Sequence, residues 1–335
     1  MSGTEFVSNH EGRLAAAVLL AAAMARLTGL GELPPFIDES GHIALLNPIH
    51  PTFFQLGKVL GQYLYRPVAA ISSDPLLGLR MLMAVFGVLT TFGIYLAGRM
   101  LGGGAAGLCA GFLWALQPIV TFHDRLALHD PLISLFFIWS VYALLSAVRL
   151  ENVQMAACAG LLSGLAALVK LPMLPLAASC LVLGFATIPR EEWMSRKKLA
   201  IGFCGGFLVP MLILIPNAGI VFGGNIYRES GIGAANSSVG LLFGNIGRVF
   251  DWLTGYNSIG FVLGAAACAG LAIYRQDPLR MLLLALFAFP VLAMSFVLNV
   301  FYARYILATL LPLTLLMGLT IAELACSNEE EEKSE

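Results

Sequence analysis

Two adjacent carboxylates, Asp38 and Glu39, stand in the stretch Pro34-Pro35-Phe36-Ile37-Asp38-Glu39-Ser40-Gly41-His42, shortly after the first apolar segment. Only 12% of the 335 residues are charged, so an acidic pair beside an apolar run calls for a reason. A carboxylate partly shielded from water has its pKa pushed upward and can act as a general base. Neighbouring loop residues point apart, so one can react while the other orients it. A solvated turn is the competing reading. His42, His50 and Lys58 follow closely as candidate substrate contacts.

A second group is His123-Asp124-Arg125, followed by His129-Asp130-Pro131. The planar fork of an arginine such as Arg125 suits a phosphate. His123 and Asp124 could share a divalent metal ion or simply face solvent. Asp130 could react, or could cap the helix that Pro131 begins. Further along stand Lys170 and Arg304, the latter between the candidate substrate contacts Tyr302 and Tyr305. With Arg125 they make three cations from separate loops, a set that could stabilise charge on a phosphate leaving group. Snorkelling to a head-group layer is the plainer reading of Lys170 and Arg304.

Composition decides what must hold these groups. Hydrophobic residues make up 59% of the chain, against roughly 45–50% in soluble domains. Apolar runs of near-spanning length recur from end to end, and the weak alternation of a membrane β-barrel is absent. The sequence therefore predicts an all-α polytopic integral membrane protein with about ten transmembrane helices. The spans are placed near 14–30, 76–98, 104–121, 131–149, 154–170, 172–188, 199–220, 257–274, 281–298 and 305–324. Lys170-Leu171-Pro172 marks a hairpin, because proline ends helices. Arg26 and the apolar continuation to Leu30 favour an uncleaved first span over a signal peptide. The cysteines show no metal or disulfide spacing. A net charge of −1 and the lack of a basic stripe with aromatics give no sign of a nucleic-acid partner.

Basic residues orient the spans. Arg13, Arg99, Arg149, Arg190, Arg196, Lys197, Lys198, Arg275 and Arg280 gather on one side, so both termini are expected in the cytoplasm of a plasma or inner membrane. Residues 1–324 then form one membrane domain, and 325–335 a solvated acidic cytoplasmic tail. The first outer loop (31–75), the second (122–130), the turn at Lys170 and the Arg304 turn all fall on the outer face. That co-location is the strongest argument for an external active site. Within the first loop, Phe53, Leu56, Leu60 and Leu64 oppose Gln55, Lys58, Gln62 and Arg66, as in an interfacial amphipathic helix. A Gly-, Asn- and Ser-rich fourth outer loop, 221–256, holds Arg228, Glu229, Arg248 and Asp251, and could be a mobile cover or a plain linker.

In this order, the residues resemble the GT-C glycosyltransferases. The likeness is to the branch of protein O-mannosyltransferases and bacterial lipid A aminoarabinose transferases. It rests on Arg26 followed by Asp38-Glu39, on His50-Pro51 before the interfacial helix, and on Arg80 early in the second span. Arg125 to Asp130 resembles the second-loop acidic motif, Gly164 to Lys170 the glycine-to-lysine segment, and Arg304-Tyr305 the late Arg-Tyr. The likeness covers 14 to about 180 well and the rest loosely. Thr52 follows His50-Pro51 where His-Pro-Pro is more usual. The spans end without the further spans or soluble C-terminal domain of larger members, which leaves the acceptor open.

The resemblance implies a polyprenyl-phosphate-linked sugar donor, membrane lipids as surroundings, and an acceptor hydroxyl on a glycan, lipid or protein of the cell envelope. It implies Asp38 as catalytic base, with Glu39 and Asp130 as the accompanying acids. Lys170 and Arg304 would contact the donor phosphate. The reaction would be an inverting displacement needing one base, because a phosphate leaving group departs without a general acid, unlike a glycosidase leaving group. The resemblance names no cofactor, and a divalent metal ion remains an open addition. The rival is a transporter or flippase of lipid-linked substrates, which would need charges nearer the midplane.

Overall fold

The computed structural model describes residues 3–44, 58–170, 174–215, 239–298 and 301–334, and every structural statement concerns those residues. The chain is built of helices: α1 Gly3–Leu27, α2 Ile37–Ala44, α3 Val59–Ile71, α4 Pro75–Leu116, α5 Pro118–Asp124, α6 Asp130–Leu150 and α7 Val153–Val169. Then come α8 Leu174–Ala186, α9 Lys197–Met211, α10 Val239–Asn257, α11 Ile259–Arg275, α12 Pro278–Val297 and α13 Leu310–Ser334. Starts are set by local chemistry. Asp74 accepts from the Leu77 amide at 3.1 Å ahead of Pro75, and Asp277 accepts from Leu279 and Arg280 ahead of Pro278. Asn152 does the same for Met155 at 3.0 Å. Each satisfies amides that have no partner inside the helix.

Six of these helical segments are long and apolar enough to cross a membrane. A seventh crossing is available if α10 and α11, bent by 118° around Ser258, act as one broken span. The ten spans expected from the sequence are not reached by this measure. With 17 and 13 residues, α7 and α8 are about 25 and 20 Å long, short of a hydrocarbon core of about 30 Å. Two of the expected spans fall in α4, 42 residues long and broken at Gly102-Gly103. Gly103 has φ 84° and ψ −179°, a conformation open essentially to glycine alone. The arms fold back on each other: a Cβ at Gly107 would lie 2.5 Å from the Tyr95 carbonyl.

The core is built on α4, against which α6 and α13 both pack, with Ile94, Trp114, Leu132, Phe137 and Leu316 fully or almost fully buried. The pair α7 and α9 packs backbone to backbone. A Cβ at Gly160 would collide with the Phe203 carbonyl, and one at Gly206 with the Ala157 carbonyl, whereas Gly205 faces open space. Gly206→Leu is therefore expected to destabilise the fold by at least about 1–3 kcal/mol. Gly205→Ala on the same helix should be close to neutral. Thermal unfolding of the two purified variants checks the contrast.

Two details of the sequence reading change. The expected fourth outer loop 221–256 is helical from Val239 onward, and Arg228 and Glu229 lie outside the described residues. Its polar residues hid a helix that packs on α12. Buried Asn245 donates to the Ser295 and Leu298 carbonyls at 3.0 and 2.8 Å. The first-loop helix is present as α3, and Phe53, Gln55 and Leu56 lie outside the described residues. Arg66 is exposed as expected, but Gln62 of the same side is fully buried beside Tyr65. Gly61 brings this face against His129, whose ring would lie 2.5 Å from any added Cβ. Close tertiary contact outweighs amphipathic pattern there.

Candidate active site

α2 is eight residues long and starts just before the acidic pair, so its turn sends the two carboxylates in different directions. Glu39 points inward and is fully buried. Arg80 of α4 grips it with a fork, Nε to Oε1 at 2.8 Å and Nη2 to Oε2 at 2.7 Å. The Ala127 amide donates to Oε1 and the Phe36 amide to Oε2. The remaining Arg80 donors reach the Leu30, Leu33 and Pro34 carbonyls. Burial pushes the Glu39 carboxyl up, but the Arg80 and amide hydrogen bonds outweigh it and hold the group below its ordinary value. Both Glu39 oxygens are thus occupied by Arg80 and backbone amides. Asp38 points the other way, is 36% exposed, and meets Arg304.

Arg304 lies in the turn Ala303–Ile306 ahead of α13, flanked by Tyr302 and Tyr305. Its guanidinium sits 4.7 Å from the Tyr302 ring and 5.5 Å from the Tyr305 ring. Its Nε is also 3.9 Å from Asp130 Oδ2. The other oxygen of Asp130 accepts from Lys170 Nζ at 2.9 Å, and that ammonium stands 3.9 Å over Tyr305. Four charged residues from four distant stretches thus form one line: Asp38, Arg304, Asp130, Lys170. The capping reading of Asp130 drops out, since α6 has no side-chain cap and Asp130 faces Lys170. The snorkelling reading of Lys170 and Arg304 drops out too, because their side chains are about nine-tenths buried. Lys170 is aimed by its extended backbone just past the end of α7, where Pro172 forbids another turn.

Lys58 completes the cluster at the start of α3. Burial, and after it the charge of Lys170, pull its ammonium down to about 8, against the opposing pull of Asp130 and Asp38. His42 stacks on His129 at 4.4 Å, and its Nδ1 is 3.2 Å from the Ala127 carbonyl that accepts from it. Burial, with Lys58 next, takes the His42 imidazole down to about 4, so it is neutral at pH 7. Three cations then stand against two carboxylates, a surplus suited to an anion. Gln62, the Tyr65 hydroxyl and both ring nitrogens of His129 are buried with no hydrogen-bond partner among the described residues. Sequence reasoning put Gln62 on the polar side of this helix and did not name Tyr65, because nothing in their spacing marks the inward face of α3. Arg80 could be paired in advance: an arginine early in an apolar span needs a carboxylate.

The remaining candidates go elsewhere. Arg125 Nη2 donates to the Thr28 carbonyl at 2.6 Å, tying the second loop to the end of α1 instead of joining the cluster. Asp124 is buried against Arg26 at 2.9 Å, while His123 Nδ1 turns back to the Ile119 carbonyl at 2.7 Å. Among the described residues no group of three or more His, Cys, Asp or Glu side chains could hold a metal ion. His50 lies outside the described residues.

The model of the family described as dolichyl-phosphate-mannose-protein mannosyltransferase matches residues 51–218, half of the chain. The chain belongs to this family. Within the mannosyltransferase family match lie Lys58, Asp130 and Lys170; Asp38 and Arg304 come from outside it. No curated protein sequence matches the chain. Among solved structures it is similar to ArnT from Cupriavidus metallidurans bound to undecaprenyl phosphate, at TM-score 0.59 and 15% identity, over 96% of this chain and 60% of that one. It is also similar to the Archaeoglobus fulgidus oligosaccharyltransferase tethered to an acceptor peptide, at TM-score 0.55 and 13% identity, over 95% and 50%. A third is AglB from the same organism with an inhibitory peptide and dolichol-phosphate, at TM-score 0.54 and 14% identity, over 98% and 52%. At such identities the likeness is one of fold, and it agrees with the GT-C architecture expected from the sequence. This family member spans 50–60% of the length of these three structures.

Proposed function

We propose that this chain moves a sugar from a polyprenyl-phosphate donor to an acceptor hydroxyl on the outer face of the membrane, with inversion at the anomeric carbon. The observation that carries the reading is the line Asp38–Arg304–Asp130–Lys170, in which Asp38 alone keeps appreciable access to solvent. The donor phosphate would settle among Arg304, Lys170 and Lys58, where charge-assisted hydrogen bonds are strongest. Arg304 then turns from Asp38 to the phosphate, and the freed carboxylate faces the acceptor. Asp38 takes the acceptor proton as the hydroxyl oxygen attacks the anomeric carbon, and the phosphate leaves as an anion held by the same cations. Asp130 orients both cations from behind. The partnerless groups of Gln62, Tyr65 and His129 offer hydrogen bonds to the sugar.

The test is to incubate the purified protein, in vesicles, with radiolabelled polyprenyl-phosphate sugar. Label passing to an acceptor or to water supports the transferase. Intact lipid crossing the bilayer without chemistry supports transport and removes the proposal.

Lys58 adds a pH signature. Its folded pKa of about 8 belongs to the free site, and a bound phosphodiester beside it would raise that value. Binding then favours the protonated form, so affinity is flat below pH about 8 and falls above it, by up to about tenfold per unit. A phosphodiester donor has no ionisation of its own in this range. Lys58→Arg keeps its charge and should give a flat profile to higher pH. Equal losses of affinity in both proteins would separate Lys58 from donor binding.

A further inference from the structure

At the other end of α6, roughly 30 Å from Asp130 by helix length, two cavities share a wall. One, of about 380 Å³, is lined by Leu101, Val148, Ile188, Glu192 and Arg196 among others. The second, of about 320 Å³, is lined by Leu96, Arg99, Tyr142, Ser146 and Leu150. Met100 and Arg149 line both. Arg196 is engaged by the Val148 carbonyl, Glu151 and Glu192, and Arg99 by Glu11. Arg149 is exposed and has no ion-pair or hydrogen-bond partner among the described residues.

The segment after α8 that closes the first cavity also walls an apolar groove of about 450 Å³. Thr187, Ile188 and Pro189 face the cavity, while Phe185, Ala186 and Trp193 face the groove together with Val182 and Leu282. Trp193 is part exposed, with its indole N–H donating to the Ile188 carbonyl at 3.1 Å, and Met194 and Leu150 are strongly exposed. An amphipathic rim of this kind belongs at a membrane interface. Around it, residues 149–151 and 190–198 hold five basic side chains (Arg149, Arg190, Arg196, Lys197, Lys198) against three acidic ones (Glu151, Glu191, Glu192).

We infer that this end of the bundle holds an anionic glycerophospholipid. Its phosphate meets the fork of Arg149 at the junction of the two cavities, and an acyl chain lies in the groove behind Trp193. Arginine suits the phosphate because the fork delivers parallel hydrogen bonds as well as charge. The basic surplus disfavours a choline head group. The site is independent of the catalytic reading, since Arg149 stands a helix length away from Asp130.

The experiment is native mass spectrometry of the whole protein released from detergent, titrated separately with phosphatidylglycerol and phosphatidylcholine, with wild type beside Arg149→Gln and Arg149→Lys. Wild type is expected to retain phosphatidylglycerol at least about tenfold better than phosphatidylcholine, because the surrounding basic side chains repel the choline cation. Arg149→Gln should lose about tenfold in phosphatidylglycerol retention, the scale of one charge-assisted contact, and Arg149→Lys should lie between it and wild type. Millimolar inorganic phosphate should leave the lipid in place. Thermal unfolding without added lipid should be the same in all three proteins, because Arg149 is exposed. Equal retention of the two lipids by wild type overturns the inference, as does undiminished phosphatidylglycerol binding by Arg149→Gln. Displacement by inorganic phosphate overturns the lipid as occupant, leaving a bare anion site.

Discussion

Asp38→Asn is expected to lower sugar transfer by about 10²–10⁴-fold, the usual contribution of a positioned general base. Binding of polyprenyl phosphate should stay within a few-fold of wild type or tighten. The asparagine keeps the shape and still accepts a hydrogen bond from Arg304, but it cannot hold the acceptor proton. Removing the carboxylate also removes a negative charge beside the phosphate pocket, which is why affinity should not suffer. If Asp38 served only to hold Arg304, the same substitution would weaken donor binding and leave turnover of the bound donor largely intact. Transfer rate and donor affinity measured on one preparation separate these outcomes.

Glu39 is the adjacent acid, and its expected phenotype is of another kind. Glu39→Gln leaves the Arg80 guanidinium buried without a counter-charge, and breaking such a pair costs about 3–5 kcal/mol. Against a total stability of about 5–15 kcal/mol, that is enough to lower the yield of folded protein and its unfolding temperature strongly. Arg80→Met should do the same and also strand the Leu30, Leu33 and Pro34 carbonyls. Whatever fraction folds should transfer sugar at a rate far above that of Asp38→Asn. A folded, fully stable and inactive Glu39→Gln protein would reverse the roles of the two acids. Because the Glu39 carboxyl is held below its ordinary value, its stabilisation is present above that ordinary value and is lost only as acid pH falls through the lowered one.

The helical, membrane-embedded class was legible from apolar run length alone, since a bilayer imposes that length on any spanning helix. The co-location of Asp38, Asp130, Lys170 and Arg304 was expected from the alternation of ten spans; the four side chains do meet, although six or seven crossings stand where ten were expected. What alternation cannot supply is which side chains on that face converge. Arg125 satisfied the same rule and went to the Thr28 carbonyl instead. The resemblance already gave Asp38 and Glu39 different parts; which of the two Arg80, 41 residues further along the chain, would hold was not legible. Helix α10 was missed because its glycines and asparagines read locally as loop, although Asn245 is used to tie α10 to α12. The inward turn of Gln62 escaped because binary pattern carries no information about a close contact that only Gly61 permits.

One anionic lipid phosphate should complete the Arg304–Lys170–Lys58 cluster and release Asp38. An experimental structure of the protein with polyprenyl phosphate bound is the sharpest test of that exchange. Phosphate oxygens are expected within about 3 Å of Arg304 and Lys170, with the Asp38 carboxylate parted from Arg304 and facing an open channel. A phosphate bound elsewhere, with Asp38 still paired to Arg304 and Asp130 still paired to Lys170, would contradict it.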